Sequence, residues 1–409
     1  MTMTAATPAA APAYEPESIA SSGYPLAFKF RQGSARPALL AQENAREVFV
    51  TEARQLAKFG KEGVVKEGEN GSTWRLTTDE GRHLGGDDIA PFPLGFYNAG
   101  LVGDVYNRLL AIARVRGIAV DALNVDLNNA YWMTGSFVRG DAVGNADPTT
   151  IGVRIRSSAN ADDIRRLVGG AIDASPAADG LRRALKNTFA IYVNGRRREV
   201  STMTPSTAPD AADPFQTYAK PPAPLAGSGG LDGLIWKTGE VREGEVQKSP
   251  TGTKDRIVRN ILGRGELLDP AGVTETDSTL EMPGASHFRF KTDERPDAEQ
   301  GPSGLALASA GIVFCYMTQL ARYIEHQKFN IRGVRLVQYT PYALNGSIAD
   351  GTWKGTQEPV DTHLFLSGDE NDETHERLMN IGAAMCYLHA SLGAANEPVV
   401  SIEHNGAGL

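Results

Sequence analysis

The chain has 409 residues, a length typical of two or three domains of about 150 residues each. Its 49 acidic and 41 basic residues give a net charge of −8, which argues against a nucleic-acid partner and against polybasic anchoring to a membrane. Two cysteines are too few for the disulfide framework of a small secreted protein, so we expect reduced thiols and a cytoplasmic location.

The N-terminal segment is rich in Ala, Pro and Thr and has no Lys or Arg before residue 24. It therefore lacks the basic start of a signal peptide, and we predict a disordered tail over residues 1–23. The apolar stretch from Leu305 to Ala321 has 17 residues, fewer than the ~20 that a membrane span needs. We expect it to form a helix of the protein core and predict no contact with a membrane.

The sequence repeats itself with a period of 211 residues. Asn98–Ile118 aligns without a gap over Ser309–Phe329, and the same offset later places Asn194-Gly195 over Asn405-Gly406. Because this register is kept for about a hundred residues, it indicates a duplicated chain.

Two domains follow from this repeat: residues 24–200, called the first half, and residues 231–409, called the second half. Between them, residues 201–230 are rich in Pro, Ala and Ser and are predicted to be a linker that buries little. In chain order, each half is expected to form a strand hairpin, a long helix, a strand pair, a second long helix and a last strand. In the second half, the pattern predicts a strand at 287–290, helices over about 303–328 and 370–393, and strands near 334–339 and 360–366.

Both cysteines lie in the second half, Cys315 in its first long helix and Cys386 in its second. The matching positions of the first half hold Asp104 and Ser175. Because both thiols are absent together from the first half, we interpret them as a pair that acts together; the alternative is two buried, small apolar side chains. The sequence leaves open whether Asp104 and Ser175 hold a second ligand or only form a partner surface.

Three segments resemble the OsmC/Ohr family of thiol peroxidases. Leu84–Gly100 is similar to the segment that leads into that family's first central helix, Gly304–Leu336 to its first-cysteine helix and the following strand, and Leu378–Leu392 to its second-cysteine helix. The resemblance implies an α+β fold of two OsmC-like domains, in which curved antiparallel sheets wrap around long central helices. The tandem copies would form an intramolecular pseudo-dimer with one active site, in the second half, and would leave room for a homo-oligomer of whole chains.

The resemblance also implies a function, that of a cytoplasmic, thiol-dependent reductase of organic hydroperoxides with an antioxidant role in oxidative stress. Cys315 would attack the peroxide, Cys386 would resolve the resulting sulfenic acid as a disulfide, and a dithiol reductant would restore the thiols. No metal, flavin or nucleotide cofactor is implied. An apolar substrate pocket is expected from the side chains near the two cysteines: Ile312, Val313, Phe314, Met317 and Met385.

The cation expected near the thiols departs from the family pattern. In the family, an Arg of the N-terminal hairpin is held by a Glu at the start of the first helix, but Leu305 and Leu94 occupy the place of that Glu here. The run GKEG at residues 60–63 stands where Ohr-like members have Gly-Arg-Asp-Gly, which makes Lys61 the candidate cation. A Lys lacks the bidentate fork of an Arg, and the alternative for Lys61 is a solvated loop charge. Arg264 is a looser candidate.

Two other functions fit the same residues. The chain would be a small-molecule binding protein if the cysteines only line a pocket, or a thiol enzyme that transfers a sulfur or acyl group through Cys315. A metal site of Cys386, His389 and a third ligand matches neither a zinc-finger nor a zincin spacing. Residues 85–88 are interpreted as a turn rather than a phosphate loop, and residues 196–198 as a solvated strand edge.

Overall fold

A computed structural model of the chain describes residues 17–40, 44–226, 233–246 and 256–409. It confirms the α+β class, because these residues form two large sheets and six α-helices. The elements of the first half are β1 (Ala27–Arg31), β2 (Ala45–Gln55), β3 (Lys61–Lys66), β4 (Thr73–Thr78), α1 (Pro93–Arg116), β5 (Ala122–Thr134), β6 (Val143–Ala146), β7 (Thr150–Arg156), α2 (Ala161–Ala174), α3 (Pro176–Arg182), β8 (Thr188–Val193) and β9 (Arg196–Arg198).

The second half forms the same elements in the same order. They are β10 (Ile235–Val241), β11 (Arg259–Asp269), β12 (Val273–Leu280), β13 (Ser286–Asp293), α4 (Gly304–Gln327), β14 (Ile331–Asn345), β15 (Lys354–Gln357), β16 (Asp361–Gly368), α5 (Asp372–Met385), α6 (Tyr387–Gly393), β17 (Val399–His404) and β18 (Ala407–Gly408). Helices α1 and α4 begin 211 residues apart, at Pro93 and Gly304, and so do β8 and β17, at Thr188 and Val399. These elements keep the 211-residue spacing of the sequence repeat, whereas the first strands do not, since β1 and β10 begin 208 residues apart and β2 and β11 begin 214 apart.

Each sheet contains strands from both halves. The first sheet has the order β1-β4-β3-β2-β14-β16-β8-β9, with β15 beside β14, and the second has the order β10-β13-β12-β11-β5-β7-β17-β18, with β6 beside β5. The halves join where β2 pairs with β14 and where β11 pairs with β5, in both cases antiparallel. They join again through two parallel pairs, β16 with β8 and β17 with β7. Neither half therefore completes a sheet from its own strands.

The long helices α1 and α4 pack against each other between the two sheets. Helix α4 contacts β2 and β14 of the first sheet, and α1 contacts β11 and β12 of the second. The helix backbones approach closely at glycines. A Cβ added to Gly100 would lie 2.4 Å from the amide nitrogen of Ala308, and one added to Gly304 would lie 2.5 Å from the carbonyl oxygen of Gly100. A larger side chain at either position would push the helices apart.

Helix α4 has the bounds that its sequence pattern predicts. The hydroxyl of Ser303 accepts the amide of Ala306 and so caps its first turn. By length and composition α4 could cross a membrane, but 94% of its most apolar window is buried inside the protein. A helix that is apolar all round and covered by protein on every side serves as a core helix.

The second long helix, predicted over about 370–393, is instead two helices. Helix α5 ends at Met385 and α6 begins at Tyr387, with Cys386 in an extended conformation between them (φ −71°, ψ 115°). The prediction that Cys386 lies in the middle of a helix is therefore wrong. Its sulfur accepts the backbone amide of His389 and caps α6. The first half is interrupted in the same way at Ser175.

The described part of the predicted linker, residues 201–226, lies against the first sheet. The amide of Ser206 donates to the carbonyl oxygen of Phe189, and the Tyr218 hydroxyl donates to the carbonyl oxygen of Glu52 at 2.8 Å. Tyr218 is only 6% exposed. Within residues 201–226, only Ser206, Pro214, Tyr218 and Pro222 are buried, so the segment contacts the sheet but buries few of its side chains. Residues 227–230 lie outside the described ranges.

Part of the predicted N-terminal tail also makes specific contacts. Ile19 is 5% exposed and packs with Leu56 and Ala90, and Glu17 forms an ion pair with Arg54 at 2.8 Å. Residues 17–23 therefore belong to the folded protein. Residues 1–16 lie outside the described ranges.

Candidate active site

A cavity of about 180 Å³ lies beside Cys315 and is lined by both halves of the chain. Much of its wall is apolar and comes from the starts of α1 and β11, the ends of β5 and β12, and the loop after β5. These apolar lining residues include Phe92, Leu94, Met133, Phe137, Ile261 and Leu280. Its polar lining residues include Glu80, His83, Arg259, Arg322 and Tyr387. We refer to it as the thiol cavity.

The two thiols lie together, but only Cys315 lines the thiol cavity. Cys315 is 2% exposed, and Cys386 is fully buried behind it. Neither forms a disulfide. Burial, followed by a hydrogen bond with the Cys315 thiol, raises the pKa of Cys386 well above its ordinary value. The pair is therefore asymmetric: Cys386 keeps its proton, and Cys315 is the sulfur that a molecule in the cavity can reach.

His389 contacts the sulfur of Cys386 through two nitrogen atoms. Its ring Nδ1 lies 3.3 Å from Sγ and its backbone nitrogen 3.4 Å from it. Burial lowers the pKa of His389 to about 4, so its imidazole is neutral near pH 7. The ring packs between Tyr316 and Phe189, with centroid separations of 5.3 and 5.8 Å.

Lys61 is the first residue of β3 and is fully buried. Its side-chain nitrogen donates a hydrogen bond to the carbonyl oxygen of Phe59. Burial lowers the pKa of Lys61, while the neighbouring Glu80, Asp79 and Cys315 act in the opposite direction. Lys61 is therefore not a solvated loop residue. It lies within electrostatic range of Cys315.

Glu80 is a site residue that sequence reasoning missed. It follows β4, is 5% exposed, and accepts a hydrogen bond of 2.7 Å from the hydroxyl of Thr318, one turn beyond Cys315. Burial raises the pKa of Glu80, and the charge of Lys61 lowers it. One sequence signal could have drawn attention to Glu80. The run Thr-Asp-Glu at residues 78–80, at the end of β4, recurs at residues 292–294, at the end of β13.

Two arginines, Arg259 and Arg322, line the thiol cavity. Arg322 lies two turns after Cys315, donates to the Gln319 side chain at 2.8 Å, and its guanidinium lies 4.7 Å from the ring centre of Phe137. Among the described residues, it forms no ion pair within 4.0 Å. Burial lowers the pKa of Arg322. Burial also lowers the pKa of Arg259, and charge repulsion from Arg322 lowers it further.

His83 and Tyr387 are two further titratable groups that line the cavity. Burial raises the pKa of the Tyr387 hydroxyl, while the positive charges of Arg322 and Arg259 act to lower it. Burial, then the charges of Arg259 and Arg322, lowers the pKa of His83 to about 4. Because His83 is neutral near pH 7, the positive charge of the cavity lining comes from the two arginines.

The prediction of which side chains form the apolar pocket is wrong. The side chains expected to form it are completely buried in the core, and none of them lines the thiol cavity: Ile312, Val313, Phe314, Met317 and Met385. The physical reason is that α4 is covered by α1, α5 and the first sheet. The cavity instead opens toward the second sheet, where α1 begins.

The matching place in the first half holds a closed polar cluster. The hydroxyl of Ser175 donates to Asp104 Oδ2 at 2.6 Å, and Arg108 pairs with Asp104 Oδ1 at 2.8 Å. All three side chains are buried. Nearby Glu294 accepts the amide of Gly304 at 2.6 Å. Burial, then the charge of Asp104, raises the pKa of Glu294 to about 8. In the first half, the carboxylate of Asp104 and the hydroxyl of Ser175 thus stand at the positions of the two thiols.

The remaining sequence candidates lie elsewhere. Arg264 is on β11, its side chain is 75% exposed, and it does not line the thiol cavity, so it is not the missing cation. Within the described ranges, no third metal-ligating side chain joins Cys386 and His389. A group of Glu240, Asp277 and His287 on the second sheet has metal-ligand spacing, and His287 Nδ1 lies 2.9 Å from Asp277 there.

Comparisons with known proteins find only weak similarity, to solved structures. No protein-family model matches the chain, and no curated protein matches it. A solved structure of an OsmC-like hydroperoxide resistance protein from Jannaschia sp. CCS1 is similar at 20% sequence identity, over 32% of this chain and 84% of its own. The TM-score of 0.23 is too low for this similarity to decide fold or function.

Proposed function

We propose that the chain is a tandem OsmC-like thiol peroxidase that reduces organic hydroperoxides in the cytoplasm. The observation that carries the proposal is the asymmetric thiol pair, in which Cys315 lines a largely apolar cavity and its hydrogen-bonded partner Cys386 lies behind it. A reactive thiol needs access to a substrate, whereas a resolving thiol needs access only to the first sulfur. Cys315 lines the cavity, whereas Cys386 contacts Cys315 but does not line the cavity.

In the proposed reaction, the thiolate of Cys315 bonds to one peroxide oxygen and the O–O bond breaks. The organic fragment leaves as an alcohol after taking up a proton, and Cys315 becomes a sulfenic acid. Cys386 then bonds to the sulfur of Cys315, and the hydroxyl group leaves as water. An external dithiol reduces the resulting disulfide and returns both thiols.

Lys61 would stabilise the thiolate of Cys315, because only the thiolate is nucleophilic and it needs a cation nearby. Glu80 would in turn keep Lys61 charged in its buried position, since an opposite charge favours the ionised form of a buried amine. Glu80 would thus do, from the end of β4, what the family's Glu does from the start of its helix. Leu305 and Leu94 would then be compatible with a peroxidase.

The walls of the thiol cavity favour a particular kind of hydroperoxide. Phe92, Met133 and Leu280 offer apolar contacts to an organic body. Arg259 and Arg322 offer guanidinium groups to an anionic end, for which a carboxylate has the matching geometry. We therefore propose an apolar hydroperoxide as the substrate, with better binding when it carries a carboxylate.

The test is a thiol titration of the reduced protein before and after one equivalent of cumene hydroperoxide, followed by peptide mapping. We expect both thiols to be lost into a Cys315–Cys386 disulfide, at a rate far above that of free cysteine. Cys386→Ser should stop at a sulfenic acid on Cys315 that dimedone traps, and Cys315→Ser should not react. Two intact thiols after peroxide treatment would contradict the proposal and favour a binding protein. A covalent adduct on Cys315 alone, from a sulfur or acyl donor, would favour a transferase.

A further inference from the structure

His389 belongs to the half of the chain that has the thiols. The position that matches it in the first half, 211 residues earlier, is Ala178. Three positions around the reactive pair therefore differ together between the halves: Cys315 stands for Asp104, Cys386 for Ser175, and His389 for Ala178.

The polar contact of the His389 ring is directed at the resolving sulfur. Nδ1 lies 3.3 Å from Sγ of Cys386, while within the described residues Nε2 is buried and has no hydrogen-bond partner. A ring proton on Nδ1 would have an acceptor, whereas one on Nε2 would have none. The packing of Tyr316 and Phe189 against the ring holds it in this orientation.

Cys386 needs a hydrogen-bond donor at the moment when it reacts. Its thiol is fully buried and protonated in the reduced protein. As its sulfur attacks Cys315 and its proton leaves, negative charge develops on Sγ in fully buried surroundings. Hydrogen-bond donors already aimed at such an atom stabilise the transition state more than the ground state.

We infer that His389 is a catalytic residue of the resolving step, in which Nδ1–H donates a hydrogen bond to the sulfur of Cys386. The inference rests on the proposed function. The S–S bond forms as the S–O bond of the Cys315 sulfenic acid breaks, and the proton of Cys386 passes to the departing hydroxyl to give water. His389 neither gains nor loses a proton. The backbone amide of His389 is a second donor to the same sulfur.

The inference is tested by measuring the two chemical steps separately in single turnover with cumene hydroperoxide. Dimedone trapping at successive times gives the formation and the decay of the sulfenic acid on Cys315. In His389→Ala, we expect the attack step to stay within about twofold of the wild type and the resolving step to slow by about 10- to 100-fold, the loss typical of one hydrogen bond to a charged atom. His389→Asn, whose amide can donate from a similar position, should recover most of the rate.

His375→Ala is the matched control. His375 is likewise a buried histidine, on α5, and its ring contacts the carbonyl oxygen of Asn371 rather than a thiol. If His389→Ala resolves its sulfenic acid as fast as His375→Ala, the inference is wrong. Where His389→Ala does not fold, His389→Phe, which fills the site without a donor, is compared with His389→Asn, and equal resolving rates overturn the inference. If the wild type forms no disulfide, the proposed function fails and the inference falls with it.

Discussion

The carboxyl group of Glu294 offers a quantitative test of the polar cluster in the first half. It is 3% exposed, lies near Asp104, Arg36 and Arg108, and accepts the amide of Gly304 at 2.6 Å. Burial is the largest cause that raises its pKa from 4.5 to about 8. In Glu294→Gln, the amide oxygen can still accept from Gly304, but the side chain cannot ionise.

The sign of the effect follows from proton binding. Between pH 4.5 and about 8, folded Glu294 keeps a proton that the unfolded chain releases. Wild-type stability is therefore lost as the pH rises through this window, whereas the Gln variant does not lose this contribution. The slope is about 1.4 kcal/mol per pH unit. Across the whole window, the wild type loses about 5 kcal/mol of stability that the Gln variant keeps.

The assay is urea unfolding of the wild type and Glu294→Gln at several pH values from about 5 to about 9. We expect the variant to have nearly wild-type stability at the acid end and to become progressively more stable than the wild type until about pH 8, where the difference levels off. Glu325→Gln, at an exposed position of α4, controls for the loss of a carboxylate in general. A stability difference that stays constant across this pH range would refute the reasoning, because Glu294 would then ionise like an exposed carboxyl group.

Three further changes test other parts of the molecule. Lys61→Met should slow sulfenic acid formation by about 10- to 100-fold, because the thiolate loses its buried cation, while Lys61→Arg should keep most of the rate; equal rates in stopped-flow measurements would contradict this role. Asp104→Ala should lower the free energy of unfolding by about 3–5 kcal/mol, because it leaves a buried guanidinium without its partner, whereas Asp162→Ala, in an exposed helix pair, should change it by less than about 1 kcal/mol. Arg322→Met should raise KM by about tenfold for a hydroperoxide that carries a carboxylate and leave KM for cumene hydroperoxide unchanged; a parallel rise for both would mean that the arginine serves only the packing of the cavity.

The sequence predicts the helix around Cys315 but not the helix break at Cys386. Helix α4 was predicted almost to the residue, because a long apolar run with a Ser cap at its start admits few other structures. The break at Cys386 was missed because Tyr387 follows it and fits a continuous helix. In the first half, Pro176 follows Ser175 and marks the start of a new helix, so the comparison of the halves contained the signal.

The site depends on contacts that no local pattern reports. Lys61 entered the prediction through the family resemblance alone, and its burial near Cys315 requires β3 to pack against α4. Glu80 reaches Thr318 across 238 residues of sequence, and neither residue is unusual in its own segment. The apolar residues next to Cys315 were assigned to the pocket by mistake. Helical periodicity shows which residues are apolar and buried, but it cannot distinguish residues that line a cavity from residues packed in the core.

The exchange of strands between the halves has a consequence for folding during synthesis. Strand β2 ends at Gln55, but its neighbour β14 begins at Ile331, 276 residues later. At about 5–20 residues per second, the ribosome needs on the order of 14–55 s to deliver that partner. Throughout this delay, β2 presents an open edge that can pair with any other strand, and β5 waits in the same way for β11. A fragment that stops before α4 would contain β11 but not β14, so the edge of β2 would stay open permanently. We expect such a fragment to aggregate rather than to fold as an independent domain.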